Sequence, residues 1–147
     1  MIPPATVPAA SVSRTLLIVD DQASVRLSLE FMLGGCGYRI VSVGGGAEAL
    51  ARMDEEPADG ALIDVHMPVM NGFETCQRLQ AAAARLNRPL RVWFMTGAGG
   101  QAVEKRCADL GALAVLSKPF ELGDLVSRLE AGFATAFSPV PTSPVAS

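Results

Sequence analysis

The chain has 147 residues, half of them apolar and 18% charged, enough for one globular domain with an ordinary core and too few for a second. Twelve basic residues against fifteen acidic ones give a net charge of −3, and no Lys/Arg run could neutralise a row of phosphates, so nucleic acid is not an expected partner. The start, "MIPPATVPAASVSR", lacks a basic segment followed by a continuous apolar one, and no stretch approaches the roughly 18 apolar residues of a membrane span; a soluble cytoplasmic protein is expected.

Residues 1–13 and 138–147 are rich in Pro, Ser, Ala and Val with almost no charge, which predicts disordered ends around a domain at 14–137. Inside it, "TLLIVD" (15–20) predicts a buried strand, and the stripe Val25, Leu29, Met32, Leu33 and Cys36 a helix ended by Gly34, Gly35 and Gly37. "YRIVSV" (38–43) predicts a second strand that runs into Gly44, Gly45 and Gly46, consistent with a place at the sheet edge. The helical pattern over 47–56 is the weakest of the set. "GALIDV" (60–65) is the third strand. Asn71, with Glu74 three residues on, resembles a capping pair that opens a helix carrying Cys76, Leu79, Ala83 and Leu86. "LRVWFMT" (90–96) is the fourth strand, and Val103, Cys107 and Leu110 mark a helix that Gly111 suits as a left-handed cap. "ALAVLS" (112–117) is the fifth strand, followed by a helix with Leu122, Leu125, Val126, Leu129, Phe133 and Phe137 on one face.

Short apolar runs of this kind read as fully buried strands. Five strands alternating with five helices need crossover connections, which are right-handed and make the strands parallel. The fold class is therefore α/β, a doubly wound five-stranded parallel sheet. Cys36, Cys76 and Cys107 are odd in number, far apart and without C-x-x-C spacing, so buried thiols are expected rather than disulfides or a zinc site.

In doubly wound sheets ligands bind outside the carboxyl ends of the strands. Those ends supply Asp20 and Asp21, then Asp64, Thr96 and Lys118. Three carboxylates without a counter-charge raise one another's pKa and call for a cation. Oxygen ligands of this kind favour Mg²⁺, which commonly takes one or two carboxylates plus a phosphate oxygen. Beside such a cation Asp64 could attack phosphorus and form an aspartyl phosphate, with Thr96 donating to one phosphoryl oxygen and Lys118 facing another. Singly, each residue has a plain alternative: a helix cap for Asp20 or Asp21, a turn for Asp64, a loop amide partner for Thr96, a solvated charge for Lys118. Together, at consecutive strand ends, they point to a phosphoryl-acceptor site. "VGGGAEAL" and "TGAGGQ" lack the G-K-[ST] ending of a nucleotide loop.

"LLIVDD" (16–21), "LIDVHMPVMNG" (62–72), "FMTG" (94–97) and "LSKPF" (116–120) together resemble the receiver domain of bacterial response regulators, over about residues 14–137. The resemblance implies a flavodoxin-like fold with strand order 2-1-3-4-5. It implies Asp64 as the acceptor of phosphate from a histidine kinase or phosphotransfer protein. It also implies Mg²⁺ bound directly by Asp21, mainly through water by Asp20, and by the backbone carbonyl of His66. Thr96 would be the hydroxyl that moves toward the phosphoryl group, and Lys118 the cation, followed by Pro119 after a cis bond. The side chain of His66 is expected to face solvent.

The sequence departs from the family at Val115, where receivers carry a signalling Tyr or Phe, so the usual aromatic swing cannot report phosphorylation. Gly97 after the threonine leaves one side of an acyl phosphate open to water and suggests quick hydrolysis. With about ten residues after the fifth helix, a stand-alone receiver acting through protein contacts, as monomer or weak homodimer, is the expectation. Two rivals stay open: a degenerate receiver serving only as an interaction module, and a Mg²⁺-dependent phosphohydrolase, for which no second acid is evident.

Overall fold

The computed structural model describes residues 14–134. It contains β1 (Thr15–Val19), α1 (Ala23–Gly34), β2 (Arg39–Val43), α2 (Gly46–Glu55), β3 (Gly60–Asp64), α3 (Gly72–Arg85), β4 (Arg91–Thr96), α4 (Gln101–Asp109), β5 (Ala114–Ser117) and α5 (Leu122–Ala134). All strand pairs are parallel, and the sheet order is β2-β1-β3-β4-β5, as the resemblance implied. No described helix is long and apolar enough to cross a membrane.

The two-residue alternation of strand side chains divides the core into two layers. Leu17, Val19, Ala61, Ile63, Val92 and Phe94 pack on one face with Ala49 and Met53 of α2, Cys76 and Leu79 of α3, and Cys107 of α4. Leu16, Ile18, Leu62, Trp93 and Met95 pack on the other with Leu29 and Leu33 of α1 and Leu125, Leu129 and Phe133 of α5. Trp93 is fully buried and accounts for two glycines: a Cβ on Gly132 would lie 2.4 Å from its ring and one on Gly60 2.8 Å.

Full burial of every strand is corrected. β1, β3 and β4 are buried almost throughout, whereas β2 and β5, each paired on one side only, are half-exposed. Cys36 is corrected too: α1 stops at Gly34, and Cys36 sits exposed in the turn beyond it, while Cys76 and Cys107 are buried as expected. Leu86 caps the end of α3 and is partly exposed instead of lying in its buried stripe. Gly37 and Gly111 take φ of +95° and +85°, the left-handed conformation that lets the chain leave α1 and α4. Asn71 caps α3 by accepting from the Glu74 amide at 2.9 Å, but the Glu74 carboxylate turns to Arg78, so only half of the capping box forms. Phe137 and the segments expected to be disordered lie outside the described residues.

Candidate functional site

Parallel register brings the predicted residues to one edge. Val19 pairs with Ile63, so Asp20 and Asp64 leave adjacent strands side by side. Asp64 pairs with Met95, one residue before Thr96, and Thr96 pairs with Ser117, one before Lys118. The Lys118 amide then donates to the Thr96 carbonyl at 2.9 Å, tying the last two strand ends together. The Lys118–Pro119 bond is cis.

At this edge Asp20, Asp21 and Asp64 each offer a carboxylate oxygen, all within 4.8 Å of one another. Asp20 and Asp64 are buried and Asp21 is exposed. Lys118 Nζ donates to Asp20 Oδ2 at 2.7 Å and lies 3.6 Å from Asp64 Oδ1. One ammonium thus reaches two of the three carboxylates. Burial, followed by the charge of Asp20, pushes the Asp64 carboxyl above its ordinary range; Lys118 and the His66 amide, 3.4 Å from Oδ1, pull the other way. A divalent cation relieves that excess, and an all-oxygen donor set of this size suits a small, hard ion such as Mg²⁺.

Thr96 is buried, and its hydroxyl oxygen accepts from the Ala98 amide at 3.0 Å, while its proton meets no acceptor among the described residues. The hydroxyl is available to donate. Gly97 is exposed, and a Cβ there would meet open space. The His66 side chain is exposed, in accord with the sequence reading. Val115 is half-buried against the core layer shared by α3 and α4.

Three features of the edge went unread in the sequence. Gly72, the first residue of α3, lies so close to β3 that a Cβ would stand 2.2 Å from the Asp64 carbonyl oxygen. The "NG" step at Asn71–Gly72 is a signal for close backbone approach as well as for a cap. Val69 is fully exposed at φ +68°, spanned by a Met70 amide to Pro68 carbonyl bond of 2.7 Å, a strained turn for a β-branched residue. Arg26 reaches from α1 to the Asp20 carbonyl at 2.7 Å. A lone basic residue on a helix gave no reason to assign it to the site.

Comparison with known proteins agrees with this geometry. The sequence profile described as the response regulator receiver domain matches residues 16–130. The chain is 33% identical over 117 residues to the response regulator receiver protein CpdR of Brucella abortus, covering 80% of this chain and 94% of that one. It is 36% identical over 120 residues to a probable chemotaxis protein CheY of Rhizobium etli, covering 80% and 91%. Other curated relatives are longer, and the chain spans 44% of one and 62% of another. Among solved structures, a putative response regulator from Chloroflexus aurantiacus superposes with a TM-score of 0.75 at 31% identity, covering 84% of this chain and all of that one. A sheet in the receiver order, three acids gathered at its carboxyl edge and a profile match across nearly all the described residues lead to one assignment: the chain belongs to the response regulator receiver domains of two-component systems.

Proposed function

We propose that the protein is a phosphorylation-operated switch in which Asp64 accepts a phosphoryl group from a histidine kinase or histidine phosphotransfer protein. The observation that carries this reading is the charge imbalance at the sheet edge, three gathered carboxylates of which one ammonium reaches two, with Asp64 held above its ordinary pKa. Asp20, Asp21, Asp64 and the His66 carbonyl would hold Mg²⁺. When bound, the ion neutralises the carboxylates and the phosphoryl oxygens.

An Asp64 carboxylate oxygen attacks phosphorus while the bond from phosphorus to the donor imidazole nitrogen breaks, and that nitrogen keeps the electron pair. Lys118 turns an N–H toward one phosphoryl oxygen, and Thr96 donates its free hydroxyl proton to another. Gly97 leaves a path for water, which favours a short-lived acyl phosphate. What supports a protein as donor is the apolar surface beside Lys118: Leu27 and Phe31 are exposed on α1, and Phe31, Met32, Pro119 and Phe120 line a groove that reaches the lysine.

The test is intact mass after incubation with Mg²⁺ and a small acyl-phosphate donor, beside Asp64→Asn. One phosphoryl group gained by the wild type alone is expected. Labelling of Asp64→Asn at full stoichiometry would remove Asp64 from the role. Val115 favours a second reading, an interaction module that never turns over phosphate; absence of labelling from both an acyl phosphate and a matched histidine kinase would select it.

A further inference from the structure

We propose that Arg26 is a positioning residue for the acidic site: its guanidinium fixes the peptide between Asp20 and Asp21 and so sets where the Asp21 carboxylate meets a divalent cation. This rests on reading Asp20, Asp21 and Asp64 as a Mg²⁺ site.

Asp20 is held firmly up to its Cα. Its amide donates to the Val43 carbonyl at 3.2 Å, one carboxylate oxygen accepts from the Gln22 amide at 2.9 Å, and the other accepts from Lys118 at 2.7 Å. Beyond the Cα, its carbonyl oxygen has one side-chain partner among the described residues, Arg26 Nη1 at 2.7 Å. The peptide group is planar, so turning that carbonyl also turns the Asp21 nitrogen and everything it carries. The exposed Asp21 carboxylate has no hydrogen bond or ion pair of its own among the described residues. Its place in the cluster is therefore set by backbone, which Arg26 holds on the amino side of Asp21 while the Gln22 amide, bonded to Asp20 Oδ1, holds it on the carboxyl side.

The placement of Arg26 argues against a merely helical role. It is the fourth residue of α1, near the helix end where the dipole disfavours a cation, and no acid lies in that first turn to compensate. It forms no ion pair within 4 Å among the described residues, and it is half-buried. A guanidinium can deliver a directed N–H to a carbonyl from this distance along the helix, which an uncharged side chain of equal length cannot.

The experiment is a calorimetric Mg²⁺ titration of the full chain, without any phosphodonor, for wild type, Arg26→Met, Arg26→Gln and Arg26→Lys. The maximal labelling rate at saturating Mg²⁺ and the Tm are measured on the same preparations. Arg26→Met should weaken Mg²⁺ binding about tenfold, equivalent to about 1.4 kcal/mol, and leave the maximal rate within about twofold. Arg26→Lys should recover part of the loss. Mg²⁺ constants within about twofold of wild type in every variant that folds overturn the proposal. So does a fall in Tm and maximal rate with the Mg²⁺ constant unchanged, which is what a purely structural arginine gives. A wild type that binds no Mg²⁺ overturns the metal-site reading itself, a result distinct from either.

Discussion

At the amino edge of the sheet, Asp59 accepts from the Thr15 amide at 2.8 Å and faces Arg88 at 3.5 Å, Glu56 pairs with Arg39, and Glu130 accepts from the buried Tyr38 hydroxyl. At the carboxyl edge, Lys118 is the one cation paired with Asp20 and Asp64, and Asp21 has no ion pair among the described residues. The residue types are similar, but the accounting differs. Acids answered one by one close loops and tie helices to strands, and nothing further is needed to neutralise them. Acids left in excess at the open end of a parallel sheet need a ligand, and one of them, Asp64, has its carboxyl pushed upward by its surroundings. In this molecule unbalanced charge, more than burial or conformation, distinguishes the working edge from the structural one.

The largest effect expected is on labelling. Asp64→Asn should abolish phosphoryl uptake, whereas Asp59→Asn, an identical change at the opposite edge, should label fully; intact mass reads both, and an unlabelled Asp59→Asn would erase the distinction. Next come two packing defects of similar severity. Gly72→Ala places a methyl against the Asp64 carbonyl and Gly132→Ala places one against Trp93, so each should lose about 3 kcal/mol in urea unfolding. Only Gly72→Ala should also slow labelling, because relief of its clash displaces Asp64. Equal labelling rates for the two variants would mean that the carbonyl can shift without moving the carboxylate.

A smaller effect concerns pH. Because Asp64 is held above the usual carboxylate range, its protonation is easier in the folded state than in the unfolded chain. Stability from this group is fullest below the unfolded carboxylate value of about 4 and is lost as pH rises through the raised folded value. Asp64→Asn should therefore raise the Tm of the metal-free protein at neutral pH, and the gain should shrink as pH falls toward about 4. A gain that grows on acidification would reverse the assigned sign. The smallest effect is that of Asp59→Asn on stability, a loss of about 1 kcal/mol from a weakened amide bond and ion pair, measured in urea.

Much of the fold was legible because parallel strands and amphipathic helices have different hydrophobic periods, and "LLIV", "ALI" and "VWFM" fall where β1, β3 and β4 are buried. The same rule overreached at β2 and β5, whose β-branched residues resemble those of central strands although each has an open edge. Cys36 was misplaced because the apolar spacing continues past the point where Gly34 and Gly35 let the helix end. Of the candidate site, Asp20, Asp21, Asp64, Thr96 and Lys118 could be chosen from their positions at or just after the strand ends. The ion pair of Lys118 with Asp20, the packing of Gly72 on the Asp64 carbonyl and the bond from Arg26 could not be, since each joins elements that are separate in sequence or turns a side chain in a direction that spacing does not encode.

The sequence by itself determined the order of strands and helices, the family and the chemical types at the sheet edge, because these follow from local period and from residues fixed at strand ends. Tertiary structure alone decided the sharing of charge: Lys118 closer to Asp20 than to Asp64, Asp21 left without an ion pair among the described residues, and Arg26 on the peptide between the two acids. Electrostatic interaction depends on distances of a few ångströms between side chains far apart in the chain, and only the register of five packed strands sets those distances.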